Sequence, residues 1–428
     1  MKKDEMLAKV RESGMSLRHA NKELRGDKDI VLEAVKQKGG ALEYASSELK
    51  NDKEVVLEAV KQRGVALKHA SDELRNNQEI VLEAVKQNGN ALKYASSKLN
   101  QDKKVVLEAV KTHGIILRYA SEELKNDKEV VSAAVKQNGV ALLYAGEKIR
   151  NNKSIVLEAV RTYGDSLRCA SEELKNDKEV VLEAVKQNGC SLQYASEELR
   201  NDKEIVLAAV KQYGCSLQYA SEELKNDKSV VLEAIRENGE ALAYTSEELR
   251  NDKEVVLEAI KQNGRSLEYA SEELKNDKDI VLEAVKQDGN SLKFASKELK
   301  NNKEVVLSAV NQYGRAVFYA SEELRNNKDL VLNAVRKDGL ALEFASQRLK
   351  SDKKIVLETL KQDKSAIKYI SEELKQDKEI LYSLKKFLME NREFFFTEYK
   401  LLTKYEREDE LRENLNEKEK STKVRKKV

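Results

Sequence analysis

The chain has 428 residues, with 78 Lys and Arg against 76 Asp and Glu and a formal charge of +2, so the molecule as a whole has no pull toward nucleic acid or an anionic membrane. It has no proline, no tryptophan and three cysteines, and 14 of its 17 glycines occupy one position of a 25-residue period. Glycine placed that regularly punctuates helices and excludes a disordered composition.

The period runs without insertion over residues 1–375, fifteen repeats in all. The opening "MKKDEMLAKV" lacks the apolar run of a signal peptide, and nowhere are 18 apolar residues consecutive. These features point to a soluble, cytoplasmic protein with no membrane span. Residues 1–25 keep Gly14 and Leu17 but carry Lys9 where alanine otherwise stands, the mark of an N-terminal capping repeat with one face in water.

Residues 26–375 form the tandem array, and repeat 176–200 serves as its type, with positions counted from Asn176. Asp177 at position 2 is an N-cap residue, and Gly189 at position 14 suits a left-handed C′ stop. The helix between them buries Val180, Val181, Ala184 and Val185 on one stripe and turns Glu179, Glu183 and Lys186 outward. A second, shorter helix follows, with Ser191, Leu192, Ala195 and Leu199 on one side. Its pattern leaves open whether it runs through Ser196 or restarts there with the serine as cap. Helices this short bury their apolar faces only against neighbours, so the expected fold is an all-α helical repeat solenoid, a curved rod with one longer and one short helix per 25-residue unit. Residues 376–405 leave the period, and Leu384, Phe387, Leu388 and Phe395 suit a C-terminal capping helix region. Residues 406–428 read as a charged, disordered tail ending in "KSTKVRKKV".

The runs "VVLEAVKQNG", "ALKYAS" (Ala91–Ser96) and "EELKNDK" together resemble the tandem repeats catalogued as domain of unknown function 4116. The resemblance implies a helical repeat array, with no established activity and no catalytic or cofactor-binding residues to carry over. Arrays of this type occur often in organisms that live with host cells, so the resemblance also implies delivery into a host cell as a possible destination.

An enzyme needs unlike residues converging on one place, whereas a repeat supplies the same residue many times. No HExxH, phosphate-binding loop, nucleophile elbow or DxDxDG loop is present, and His19, His69 and His113 read as substitutions within the repeat. No catalytic site, metal site or cofactor is expected. Cys190 and Cys215 share position 15 in adjacent repeats, about 8–10 Å apart by helix packing and beyond the ~7 Å reach of a disulfide, so the expected thiols are reduced and exposed.

Charge is uneven along the array. Repeats 176–200, 201–225, 226–250 and 251–275 carry −2, −1, −3 and −2, whereas repeats from 76 to 150 carry +1 each and residues 326–375 carry +3. The acidic repeats are the expected docking region for a basic or extended segment of a protein partner, through Glu197, Glu198, Glu222, Glu223, Glu240, Glu247, Glu248, Glu268, Glu272, Glu273 and Tyr213. The competing readings are nucleic-acid binding by the basic flanks and tail, and a structural spacer or host-interaction protein. Positions 13, 15 and 18 vary beside a constant framework, as either a contact surface or unselected drift does. Position 19 is an aromatic ladder that includes Tyr194, Tyr219, Phe294 and Phe344, with Cys169 once; it either packs between repeats or lines a groove, and the Phe and Cys replacements favour packing.

Overall fold

The computed structural model describes residues 2–425, with side chains described through residue 413. Among these residues every regular element is helical, and the fold is an all-α repeat solenoid. The chain forms two compact units, Met1–Glu237 and Asn238–Val428, each built from the same repeat.

Each repeat contains three elements, one more than expected. In repeat 176–200 the long helix is Lys178–Gln187, and Asp177 caps it by accepting the Val180 N–H at 3.1 Å. The chain then turns extended at Asn188 (φ −147, ψ 110), whose side chain accepts the Cys190 N–H and starts a 3₁₀ helix, Gly189–Tyr194. That helix ends at Ala195 (φ −70, ψ 157), and the chain restarts at Ser196, whose hydroxyl accepts the Leu199 N–H at 3.2 Å to cap the one-turn helix Glu197–Arg200. The serine is therefore a cap, and the second half of the repeat is two elements set at an angle by an extended residue.

The glycine does not act as a left-handed stop. No residue, glycine included, has a positive φ among the described residues. Position 14 instead lies against the next repeat: a Cβ at Gly164 would sit 2.6 Å from the Ala184 carbonyl oxygen, and one at Gly314 would sit 2.7 Å from that of Ala334. The Gly164 N–H donates to Gln187 Oε1 at 2.6 Å, and Gly39 and Gly64 do the same to Gln62 and Gln87. Backbone thus packs on backbone, which only glycine permits. Lys364 replaces the glycine where the following helix, Lys378–Ser383, stops short of position 9, and Lys364 is exposed.

Around this contact the core assembles as expected. Val180, Val181, Ala184, Val185 and Leu192 are fully buried, and Ala195 and Leu199 nearly so. Helix Lys178–Gln187 packs on Lys203–Gln212, and the 3₁₀ helix Gly189–Tyr194 lies on both long helices and on its own successor Gly214–Tyr219. Lys9 is exposed where the equivalent alanines are buried.

After the array, helices Lys378–Ser383 and Lys385–Glu390 pack against Phe396–Arg425. Leu384, Leu388 and Leu402 are buried, and the Phe387 and Phe395 rings meet at 5.4 Å. Tyr382 donates to Asp409 Oδ2 at 2.8 Å, so the boundary expected at 405/406 falls inside the last helix. Backbone is helical through Arg425, and 426–428 of the expected tail lie outside the described residues.

Substitutions at three positions test this packing. Leu192→Ala and Leu217→Ala are each expected to cost ~2–5 kcal/mol, read as lost hydrogen-exchange protection across their own and adjoining repeats. Gly164→Asn is expected to destabilise at least as much as Gly164→Ala in urea melts, because a close approach excludes any Cβ whereas a left-handed cap tolerates asparagine.

Candidate partner-binding surface

Three ladders of polar contacts link successive repeats and decide which charged side chains are available to a partner. The first is backbone: the Ser196 N–H donates to the Lys175 carbonyl and the Ser221 N–H to that of Arg200, both at 2.9 Å. The second runs through asparagine at position 1. Asn176 accepts from the Ser196 hydroxyl and donates through Nδ2 to Glu198 Oε2 at 3.1 Å, and Asn201 likewise accepts from Ser221 and donates to Glu223 at 3.0 Å. The third is ionic: Lys178 reaches Asp202 Oδ2 at 2.7 Å and Glu204 at 2.9 Å in the next repeat, as Lys153 reaches Asp177 and Glu179.

These ladders separate the members of each Glu pair. At position 23, Glu198, Glu223 and Glu273 hold the asparagine ladder, and Glu248 is also engaged. At position 22, Glu197, Glu222 and Glu272 project outward with side chains 95%, 87% and 89% exposed. Each meets a half-buried cation three residues on: Arg200 at 3.9 Å, Lys225 at 2.8 Å and Lys275 at 2.9 Å. Glu247 and Glu268 are exposed, and Glu240 is exposed with its carboxylate 3.3 Å from Asn263 Nδ2. Tyr213 is 47% exposed.

The variable positions are partly structural. Position 15 of one repeat faces position 13 of the next: Asp165 accepts from Asn188, Glu240 from Asn263, and Arg315 donates to Asp338 at 2.6 Å. Cys215 is therefore buried and Cys190 half-buried, contrary to the exposure expected for them, because the first turn of the 3₁₀ helix is covered by the neighbouring repeat. The three cysteines form no disulfide among the described residues.

Position 19 combines the two readings of the aromatic ladder. Tyr194 and Tyr219 are both half-buried, and burial pushes the Tyr194 phenol above its ordinary value. The exposed part of the Tyr219 ring lines a hollow between two one-turn helices. In the first compact unit the hollow beside Tyr219 has a volume of about 460 Å³ and is bordered by Glu197, Arg200, Gln218, Glu222 and Lys225. A smaller one lies at Asp72, Arg75 and Tyr94. Tyr163, Tyr313 and Phe318 are also exposed, and an apolar residue at an otherwise polar position is the mark they leave in the sequence.

Among the described residues no three His, Cys, Asp or Glu side chains gather to hold a metal ion, and no helix is long and apolar enough to cross a membrane. A solenoid with a repeated hollow and no convergent cluster belongs to the class of helical repeat proteins. Family matches tile it at residues 3–50, 52–100, 102–150 and 152–200 and then in overlapping windows from 177 to 395, and the chain belongs to the family described as Domain of unknown function (DUF4116). No curated protein matches the chain.

The ionic ladder makes a pH prediction. At Asp227 the Lys203 ammonium and the Ser229 hydroxyl outweigh burial and push the carboxyl down to about 2. At Asp177 and Asp202 burial acts upward, but the lysine of the preceding repeat and the capped N–H groups still carry the carboxyl below its ordinary value. A carboxyl lowered in the folded state contributes stability above its unfolded value of about 3.9, and that contribution is lost as pH falls through the folded value. Urea melts are expected to be level from pH 7 to 5 and to weaken between pH 4 and 2. Asp227→Asn, which keeps a capping side chain, is expected to narrow the difference between pH 7 and pH 3.

Proposed function

We propose that this protein is a non-enzymatic scaffold whose acidic repeats hold a basic or extended segment of a protein partner. The observation that carries this reading is the row of position-22 carboxylates, which project into solvent while their position-23 neighbours are held by asparagine. In the first compact unit Glu197 and Glu222 flank the hollow at Tyr219, with Tyr213 exposed nearby in sequence. In the second, Glu272 and Glu268 present the same chemistry on their own repeat, with Glu240 and Glu247 one repeat before. A lysine or arginine entering such a hollow exchanges a weak, exposed intramolecular pair for one with the ligand, and the tyrosine edge gives its aliphatic stem an apolar wall. Many such modest contacts add along an extended segment.

The reading is tested by fluorescence anisotropy of a labelled Lys/Arg-rich peptide against the full chain. Combining Glu197→Gln, Glu222→Gln and Glu272→Gln is expected to weaken binding by roughly tenfold, and raising salt is expected to weaken the wild type similarly. Equal affinity of wild type and triple variant would overturn the proposal.

A further inference from the structure

The side chains at positions 18, 22 and 25 change character within the second compact unit. In repeats 251–275, 301–325 and 351–375 position 22 is glutamate, and Lys275 and Lys375 each pair with it, at 2.9 and 2.7 Å. Repeat 276–300 instead places lysine at positions 18, 22 and 25: Lys293, Lys297 and Lys300. Lys297 is exposed and Lys300 half-buried, and with no glutamate at 297 Lys300 has lost the carboxylate that its counterparts hold. Burial accordingly holds the Lys300 ammonium below the usual lysine range.

An aromatic surface accompanies these cations. Position 18 of the next repeat is Phe318, 52% exposed, where earlier repeats have Gln193 and Gln218. Its ring meets Tyr319 edge-on at 5.0 Å and Phe344, one repeat further, at 4.9 Å and 58°. In the first unit Glu197, Arg200, Gln218 and Tyr219 border one hollow, and the repeat puts Lys297, Lys300, Phe318 and Tyr319 at the equivalent positions here. The carboxylates nearby are Glu298 and Glu323, which accept from Asn276 and Asn301, together with exposed Glu322 and Glu343.

We infer that repeats 276–350 carry a second docking site, opposite in polarity to the acidic repeats, for an acidic peptide segment bearing an aromatic or large apolar residue. The peptide's carboxylates pair with Lys297 and Lys300, and its apolar side chain covers the exposed face of Phe318. Single-stranded nucleic acid fits less well. Its phosphates need cations along the whole strand, whereas the next two repeats expose Glu322 and Glu343.

The test uses the full chain, a labelled Glu/Asp-rich peptide with one central tryptophan, the same peptide with alanine in its place, and a labelled oligo-dT. Lys297→Glu and Phe318→Gln restore residues that the same positions carry in sister repeats, so both variants are expected to keep the wild-type circular dichroism and melting. Each is expected to weaken the tryptophan peptide about five- to tenfold, and the alanine peptide is expected to bind the wild type more weakly. Phe318→Gln should leave binding of the Lys/Arg-rich peptide unchanged and Lys297→Glu should not weaken it, which separates this site from the acidic one. Unchanged affinity in both variants, equal binding of the two acidic peptides, or tighter binding of oligo-dT that is lost in both variants would each overturn the inference.

Discussion

The structure depends on one steric constraint: the backbone at position 14 lies so close to the position-9 carbonyl of the following repeat that no side chain fits between them. The contact draws the 3₁₀ helix onto the next long helix and aims the glycine N–H at the position-12 glutamine. It also fixes the size of its neighbours. Position 9 is a fully buried alanine in nearly every repeat, and position 16 is alanine or serine in most, with Ser191 Oγ 2.8 Å from where a Cβ at Gly164 would stand. Valine and leucine then fill what remains, so the apolar core follows from the glycine rather than the reverse.

Much of this was legible in the sequence because the repeat averages the signal fifteen times. The long helix, its Asp cap and its buried Val-Val-Ala-Val stripe have the spacing and the residue types that α-helices demand. The second half was less legible for a physical reason. Six residues are too few to distinguish a 3₁₀ from an α period, and a serine suits both a helix interior's surface and a cap. The glycine was misread because a stop signal and a close approach leave the same residue in the sequence; only the neighbouring repeat, 20 residues on, tells them apart.

The candidate surface was legible as charge but not as geometry. Glu197 and Glu198 are alike in the sequence and adjacent on the chain, yet one points to solvent and the other holds Asn176. Cys190 and Cys215 looked like surface variants because position 15 tolerates Asp, Glu, Arg and Asn. Those residues are tolerated because position 13 of the next repeat answers them, as Asn188 answers Asp165 and Asp338 answers Arg315. Variation at these two positions is therefore coupled across repeats, whereas position 18 carries the exposed Phe318, which meets the ring at position 19 of the next repeat.

Within each compact unit the backbone ladder, in which a position-21 serine N–H such as that of Ser196 or Ser271 meets the position-25 carbonyl of the preceding repeat, has a consequence for how the gene can change. A single inserted residue would change the spacing of the glycine–carbonyl and serine–carbonyl pairs that span it, so a small indel breaks both contacts at the repeat where it falls. Gain or loss of a whole unit leaves both registers intact. Stretches as alike as Gly189–Lys203 and Gly214–Lys228 are natural sites for unequal recombination. Length variation in this protein should therefore come in steps of one repeat, with the array growing or shortening while its local architecture stays the same.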